Sequence, residues 1–168
     1  MATFVSIGNA TQPFLRLLNA VGILAEEDVL PKPIVVQHGH TKFVNDKCIC
    51  IPFLQMEEFA KYIQTSSVIL LHAGAGSIIQ ACQSHKLPLI MARQAQFNEH
   101  IDNHQVEFAH SLKDNGRVIV IENVDEMRSA VKNVLLQQPS FKPELLPEPL
   151  MVGLVRNAIL NISNTNLV

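Results

Sequence analysis

Four short segments of this chain hold residue types that could do chemistry. The most informative is His72-Ala73-Gly74-Ala75-Gly76-Ser77, which follows the apolar run Val68-Ile69-Leu70-Leu71. Two of the chain's seven glycines fall in it. Glycine lets backbone approach a ligand closely, and a helix N-terminus offers free N–H groups to an anion. A phosphate or diphosphate is the natural guest, with Ser77 able to add a hydroxyl. The same glycines are equally consistent with a tight strand-to-helix turn and nothing more. A second segment runs from Arg93 to Gln105 and holds Asn98, Glu99, His100, Asp102, Asn103 and His104. Part of that crowding is helix-capping chemistry. His100 and His104 stand four apart, a metal-ligand spacing with Asp102 between them. Glu99 precedes His100 rather than following it, so this is no His-Glu-x-x-His motif. The remaining segments are Gly8-Asn9-Ala10-Thr11 and Gln37-His38-Gly39-His40.

Several familiar motifs are missing. Ile79 stands where a dinucleotide fingerprint needs its third glycine. There is no Gly-Lys-Ser/Thr phosphate loop and no Asp-x-Asp pair to hold a metal-bound nucleotide. A Gly-x-Ser-x-Gly elbow is absent too, and Cys82 belongs to a helix interface, which leaves little for a nucleophilic hydrolase.

Elements that would position these segments read as alternating strands and helices. Strands are expected over Thr3–Ile7, Pro33–Gln37, Cys48–Ile51, Val68–Leu71, Pro88–Met91 and Val118–Ile121. Thr11 and Pro13 open a helix with Phe14, Leu17, Leu18 and Val21 on one face. Met56, Phe59, Ala60 and Ile63 have helical spacing. Another helix follows the glycine turn after Leu71. One after about His100 carries Ile101, Phe108, Ala109 and Leu112, and Gly116 stops it. Asn123 with Glu126 reads as a capping box for a helix carrying Val124, Met127, Val131, Val134 and Leu135. This alternation predicts an α/β fold, Rossmann-like and three-layered, with a mostly parallel sheet. Ligands in such sheets sit beyond the C-terminal strand ends, where all four segments lie.

With 168 residues, 48% of them hydrophobic and 17% charged, the chain can bury a real core. A net charge of −2 and the lack of any Lys/Arg block speak against nucleic acid as a partner. Cys48, Cys50 and Cys82 are too few for a disulfide framework, and read as small buried hydrophobes in a cytoplasmic protein. No signal peptide is evident, and no apolar run reaches the ~18 residues of a membrane span. Residues 1–138 read as the folded domain. Residues 139–168 read as a linker rich in proline (Pro139, Pro143, Pro147, Pro149) and an apolar-striped helix from Met151 to Ile162. That helix suits packing on its own domain or on a partner better than membrane anchoring.

The ordered set His72–Ser77, Pro88-Leu89-Ile90-Met91-Ala92-Arg93 and Asn98–Gln105 resembles the C-terminal domain of family 28 glycosyltransferases. Val5-Ser6-Ile7-Gly8, Pro13-Phe14-x-Arg16-Leu17 and Val35-Val36-Gln37-His38-Gly39 fit the same pattern. The likeness covers roughly residues 3 to 135 and is nearest the small PssE-type subunits of exopolysaccharide synthesis. It implies the donor-binding half of a GT-B enzyme, which transfers a glycosyl group from a UDP-sugar to a lipid-linked acceptor. Gly8, Asn9, His72, Gly74, Ala75, Gly76, Ser77, Gln80, Arg93, His104 and Gln105 would bind the donor. Gln80 stands where the family often has Glu against the ribose, and Asn103 where Asp is common. His72, Glu99 and His100 are the candidates for the base that activates the acceptor. Helix N-termini and Arg93 would offset diphosphate charge without a metal, so no cofactor is expected. The chain is short for a two-lobed enzyme. A membrane-anchored partner subunit is therefore expected to bring the acceptor site and hold this chain at the inner membrane face. Two alternatives stand beside this reading: a non-catalytic nucleotide-sugar-binding or scaffold subunit, and a metal-dependent enzyme using His100 and His104.

Overall fold

A computed structural model describes residues 1–114 and 116–137. The linker and helix expected over 139–168 lie outside the described residues. Six strands form one sheet: β1 (Thr3–Ser6), β2 (Ile34–Gln37), β3 (Cys48–Ile51), β4 (Val68–Leu71), β5 (Leu89–Ile90) and β6 (Ile119–Val120). Their order is β3-β2-β1-β4-β5-β6, and every pairing is parallel. The helices are α1 (Leu15–Glu26), α2 (Met56–Thr65), α3 (Ala75–Gln83), α4 (His104–Asp114) and α5 (Val124–Gln137). This is the α/β, three-layered Rossmann-like fold that the alternation predicts.

Side chains alternate across a strand, so each central strand feeds two cores. Val5 of β1 and Leu70 of β4 face one way, with Leu17, Leu18 and Val21 of α1 and Met127 and Val131 of α5. Phe4 and Ile69 face the other way, with Ile63 of α2, Ile78 and Ala81 of α3 and Ala109 of α4. All four residues of β4 are fully buried, as its uninterrupted apolar run requires.

Some expectations need correcting. Helix α1 begins at Leu15, not at Thr11. Its entry is set by a distant hydroxyl, since the Phe14 N–H donates to Thr41 Oγ1 at 3.1 Å. Ile101 is not carried by the helix: it precedes α4 and is 82% exposed. Met56 is equally exposed, because α2 covers the sheet only from its second turn. Cys48 and Cys50 are half-buried, because β3 is an edge strand. The Asn123–Glu126 pair does close the start of α5. The Glu126 N–H donates to Asn123 Oδ1, and Glu126 accepts in return from the Asn123 amide and the Glu122 N–H.

The chain builds β1, β2 and β3 outward in one direction, then crosses to the other side of β1 for β4. The C-terminal ends of β1 and β4 thus flank a topological switch point, where open α/β sheets hold their ligands.

Candidate functional site

At this crevice the loop after β1 meets the loop after β4. The His72 backbone N–H donates to the Ser6 carbonyl at 3.1 Å, continuing the β1–β4 ladder one step beyond the sheet. The His72 imidazole then lies between two glycines. A Cβ on Gly8 would stand 2.5 Å from ring atoms Cε1 and Nε2. A Cβ on Gly74 would overlap Nε2 and lie 2.8 Å from Cε1. On the far side, a Cβ on Gly39 would meet the Gly8 carbonyl oxygen at 2.5 Å. Gly8 and Gly39 also hold positive φ, +74° and +53°. The fold itself therefore requires three of the glycines picked out by sequence. Gly76 is different. It lies in the first turn of α3, its φ is ordinary, and nothing stands within 4 Å of where its Cβ would be. Packing gives no reason for glycine there; the space beside it is open.

His72 Nδ1 faces the Ser6 carbonyl at 3.4 Å. A carbonyl only accepts, so Nδ1 carries the proton and Nε2 keeps its lone pair beside the glycines. Burial, and then the nearby Arg93 guanidinium, pull the imidazole down to about 4. At neutral pH the ring is uncharged. Such a ring suits accepting a hydrogen bond better than removing a proton from a hydroxyl, since an effective base titrates near the working pH. Buried polar groups brace the same loop. Ser6 Oγ donates to Gln37 Oε1 at 2.8 Å and accepts the Gly8 N–H at 3.3 Å, and Gln37 Nε2 reaches Asn9 Oδ1 at 3.3 Å. His38 is held by the Thr41 carbonyl at Nδ1, and His40 packs edge-on to Phe53.

Gly74 is the N-cap of α3, so the free N–H groups of its first turn open at Ala75, Gly76 and Ser77. Ser77 and Gln80 follow on this helix, half-exposed, and among the described residues neither side chain has a hydrogen-bond partner. Through the His72 ring, the Gly8 loop and the Gly74 turn are brought together.

The segment after β5 departs from expectation in two places. Arg93 is fully buried. Its guanidinium donates to the carbonyls of Ile7 at 2.8 Å, Gln12 at 2.8 Å and Glu99 at 3.1 Å, and lies 4.8 Å from the Phe14 ring centroid. It ties the loops after β1 and β5 together and, fully buried, is not open to a diphosphate. Arg93 Nε is the one buried side-chain polar atom without a partner among the described residues. Glu99 is also buried, with both oxygens engaged by Arg16: Nε to Oε1 at 3.2 Å and Nη2 to Oε2 at 2.8 Å. A carboxylate held this way does not serve as a base. Arg16 also donates to the Ala92 and Glu122 carbonyls, so one side chain on α1 clamps the loops after β5 and β6. Spacing alone gave no sign of that clamp; Arg16 entered only as part of a motif.

Further along the segment, Asp102, Asn103 and His104 are exposed and His100 is half-buried. Gln105 is buried and its Oε1 accepts the Arg93 N–H at 3.3 Å. Asn103 Oδ1 accepts the Ala95 N–H at 3.0 Å. Asp102 Oδ1 lies 3.2 Å from His100 Nδ1 and contacts His104 Nδ1. The two rings meet edge-on, centroids 4.6 Å apart. Burial raises the Asp102 carboxyl, but hydrogen bonds from the His104 backbone and ring, with the two imidazoles, bring it below the usual carboxylate range. An open hollow lies between α4 and α5, along β6. Glu122, Asp125 and Glu126 line it together with His110 and Lys113.

Comparison with known proteins agrees with this architecture. The chain is 34% identical over 89 residues to the UDP-N-acetylglucosamine–N-acetylmuramyl-(pentapeptide) pyrophosphoryl-undecaprenol N-acetylglucosamine transferase of Bdellovibrio bacteriovorus. That match takes in 52% of this chain and 24% of the relative. The UDP-GlcNAc 2-epimerase of Methanocaldococcus jannaschii, solved with UDP-GlcNAc and UDP, superposes with a TM-score of 0.62 at 17% identity. It matches 95% of this chain, which covers 45% of the epimerase. The kitacinnamycin glycotransferase superposes with a TM-score of 0.60 at 17% identity, over 94% of this chain and 41% of that one. These likenesses show the fold: this is one Rossmann-like half of a GT-B architecture. The chain spans less than half the length of each of these proteins. The sequence model of the glycosyltransferase family 28 C-terminal domain matches residues 4–149, and the chain belongs to that family.

Proposed function

We propose that this chain is the donor-binding half of a UDP-sugar-dependent glycosyltransferase acting on a lipid-linked acceptor in (exo)polysaccharide synthesis, completed by a membrane-associated partner subunit. The observation that carries this reading is Gly76, a glycine without a packing reason, in the first turn of a helix at the switch point of the sheet. Free N–H groups beside open space suit a diphosphate. Ser77 and Gln80, unpartnered on the same helix, suit the remaining polar groups of a nucleotide, and His72 Nε2 suits a donor hydroxyl. His104, exposed at the start of α4, is assigned to the sugar.

In the transfer, the acceptor oxygen forms a bond to the anomeric carbon as that carbon's bond to the diphosphate oxygen breaks. UDP leaves with the bonding electron pair, and the acceptor proton passes to a base. Of the three expected bases, His72 is tuned too low and Glu99 is locked to Arg16. His100 is the candidate that remains: its Nδ1 lies 3.2 Å from Asp102 Oδ1, and its Nε2 has no partner among the described residues. Among those residues no helix is long and apolar enough to cross a membrane, and the acceptor side is assigned to the partner.

Transfer of radiolabelled sugar from UDP-sugar to lipid acceptor, by this chain together with its membrane partner, tests the reading. Transfer should need both chains and fall at least ~100-fold in His100→Ala, the smaller contribution of a general base. Transfer that persists without this chain would contradict the assignment.

A further inference from the structure

His100, Asp102 and His104 place three ligand atoms, two imidazole nitrogens and a carboxylate oxygen, within 4.8 Å of one another. We propose that this triad is a binding site for a borderline divalent cation of the Zn2+ class, coordinated by His100 Nδ1, Asp102 Oδ1 and His104 Nδ1, with water in the open position.

Three observations carry it. Both imidazoles turn the same nitrogen, Nδ1, toward one carboxylate oxygen. The Asp102 carboxylate has no permanently charged partner among the described residues; both its ion-pair partners are imidazoles. His100 Nδ1 also has the Asp102 N–H at 3.4 Å and the Asp102 carboxylate at 3.2 Å. No single protonation state of the ring satisfies a donor and an acceptor at one nitrogen. A cation between the three atoms needs only their lone pairs. Two imidazoles and one carboxylate are a donor set for Zn2+ and its neighbours rather than for Mg2+ or Ca2+, which prefer oxygen. Zinc bonds of ~2.0–2.2 Å bring the ligand atoms to roughly 3.5 Å apart. Because Asp102 and His104 are exposed, the loop reaches this spacing by side-chain movement and leaves room for a water.

The consequence rests on the proposed function. A bound ion takes the oxygen that orients His100 and fixes the ring assigned to the donor sugar, so Zn2+ inhibits transfer rather than supporting it.

The test is uptake of Zn2+ alone by the full chain, purified without a His-tag, in competition with a chromogenic chelator, with Co2+ absorption as a second readout. Wild type should bind one ion. His100→Ala, Asp102→Asn and His104→Ala, each checked for folding by circular dichroism, should weaken binding by at least ~10-fold, the loss that outer-shell partners alone bring. No uptake by wild type overturns the inference. So does uptake that survives these three variants and disappears in Cys48→Ser or Cys50→Ser. A chain that binds UDP but takes up no zinc leaves the proposed function standing and removes this site.

Discussion

The His72 imidazole occupies the space that a side chain on Gly74 would need. A Cβ there would overlap Nε2 and lie 2.8 Å from Cε1 and 3.0 Å from Cδ2. Residues two apart thereby fix each other: the glycine admits the ring, and the ring, clamped also by Gly8, fixes the turn from β4 into α3. Gly74→Ala should destabilise the protein by about 1–3 kcal/mol, as overpacking does. Gly8→Ala adds strain at φ +74°. Gly76→Ala should leave stability unchanged or raise it by up to ~1 kcal/mol, since alanine is the better helix former. Urea unfolding of the three variants checks the contrast. Equal losses at Gly74 and Gly76 would contradict it.

Arg16 and Glu99 should behave as a unit. Glu99 is almost wholly buried and Arg16 mostly so. Removing one partner leaves a buried charge, which costs about 3–5 kcal/mol when burial is complete and less with Arg16 one-fifth exposed. Arg16→Met and Glu99→Gln should each be strongly destabilising. The double variant should be less damaging than the sum by about 1–3 kcal/mol. A double-mutant cycle by chemical denaturation reads this directly, and additive losses would show that the pair is not coupled.

Stability should fall with acid through His72. Its folded value, about 4, lies below the 6.5 of a free imidazole, lowered by burial and then by Arg93, with a small further push from His100. Between those values the unfolded chain takes up a proton that the folded chain refuses. The His72 contribution is therefore complete above pH 6.5 and is lost as pH drops toward 4. Urea midpoints from pH 7.5 to about 4.5 should decline in wild type and flatten in His72→Gln. Parallel curves for the two would remove His72 as the cause.

Thr41 should matter more than a loop threonine usually does. Its hydroxyl accepts the buried Phe14 N–H at the entry to α1. Thr41→Val keeps the shape and removes the acceptor, leaving a buried donor unpaired at a cost of about 1–3 kcal/mol. Amide exchange at Phe14 should speed up in the variant while the β4 amides stay protected.

Much of the fold was legible because strand and helix periodicity are local. The run Val68–Leu71 could only be a strand buried on both faces, and the glycines after it could only be a turn or a ligand loop. The structure separates those last two readings residue by residue: His72 accounts for Gly8 and Gly74, and nothing accounts for Gly76. Contacts between distant segments were not legible. Arg93 and Glu99 look like site residues in sequence because they are charged and lie in a polar loop. Whether such groups face a ligand or other parts of the chain depends on Ile7, Gln12 and Arg16, some eighty positions away. Ile101 and Met56 fit a helical stripe, yet periodicity does not say where the first turn clears the sheet.

The central claim is that the crevice between β1 and β4 binds a nucleoside diphosphate through the first turn of α3. Calorimetric titration of the chain with UDP and UDP-sugars, with and without the membrane partner, tests it most directly. The account predicts binding that weakens ~10-fold or more in Gly76→Ala and in Gln80→Ala while both variants stay as stable as wild type. No binding of any uridine nucleotide, even with the partner present, would contradict it, as would affinity left unchanged by both substitutions.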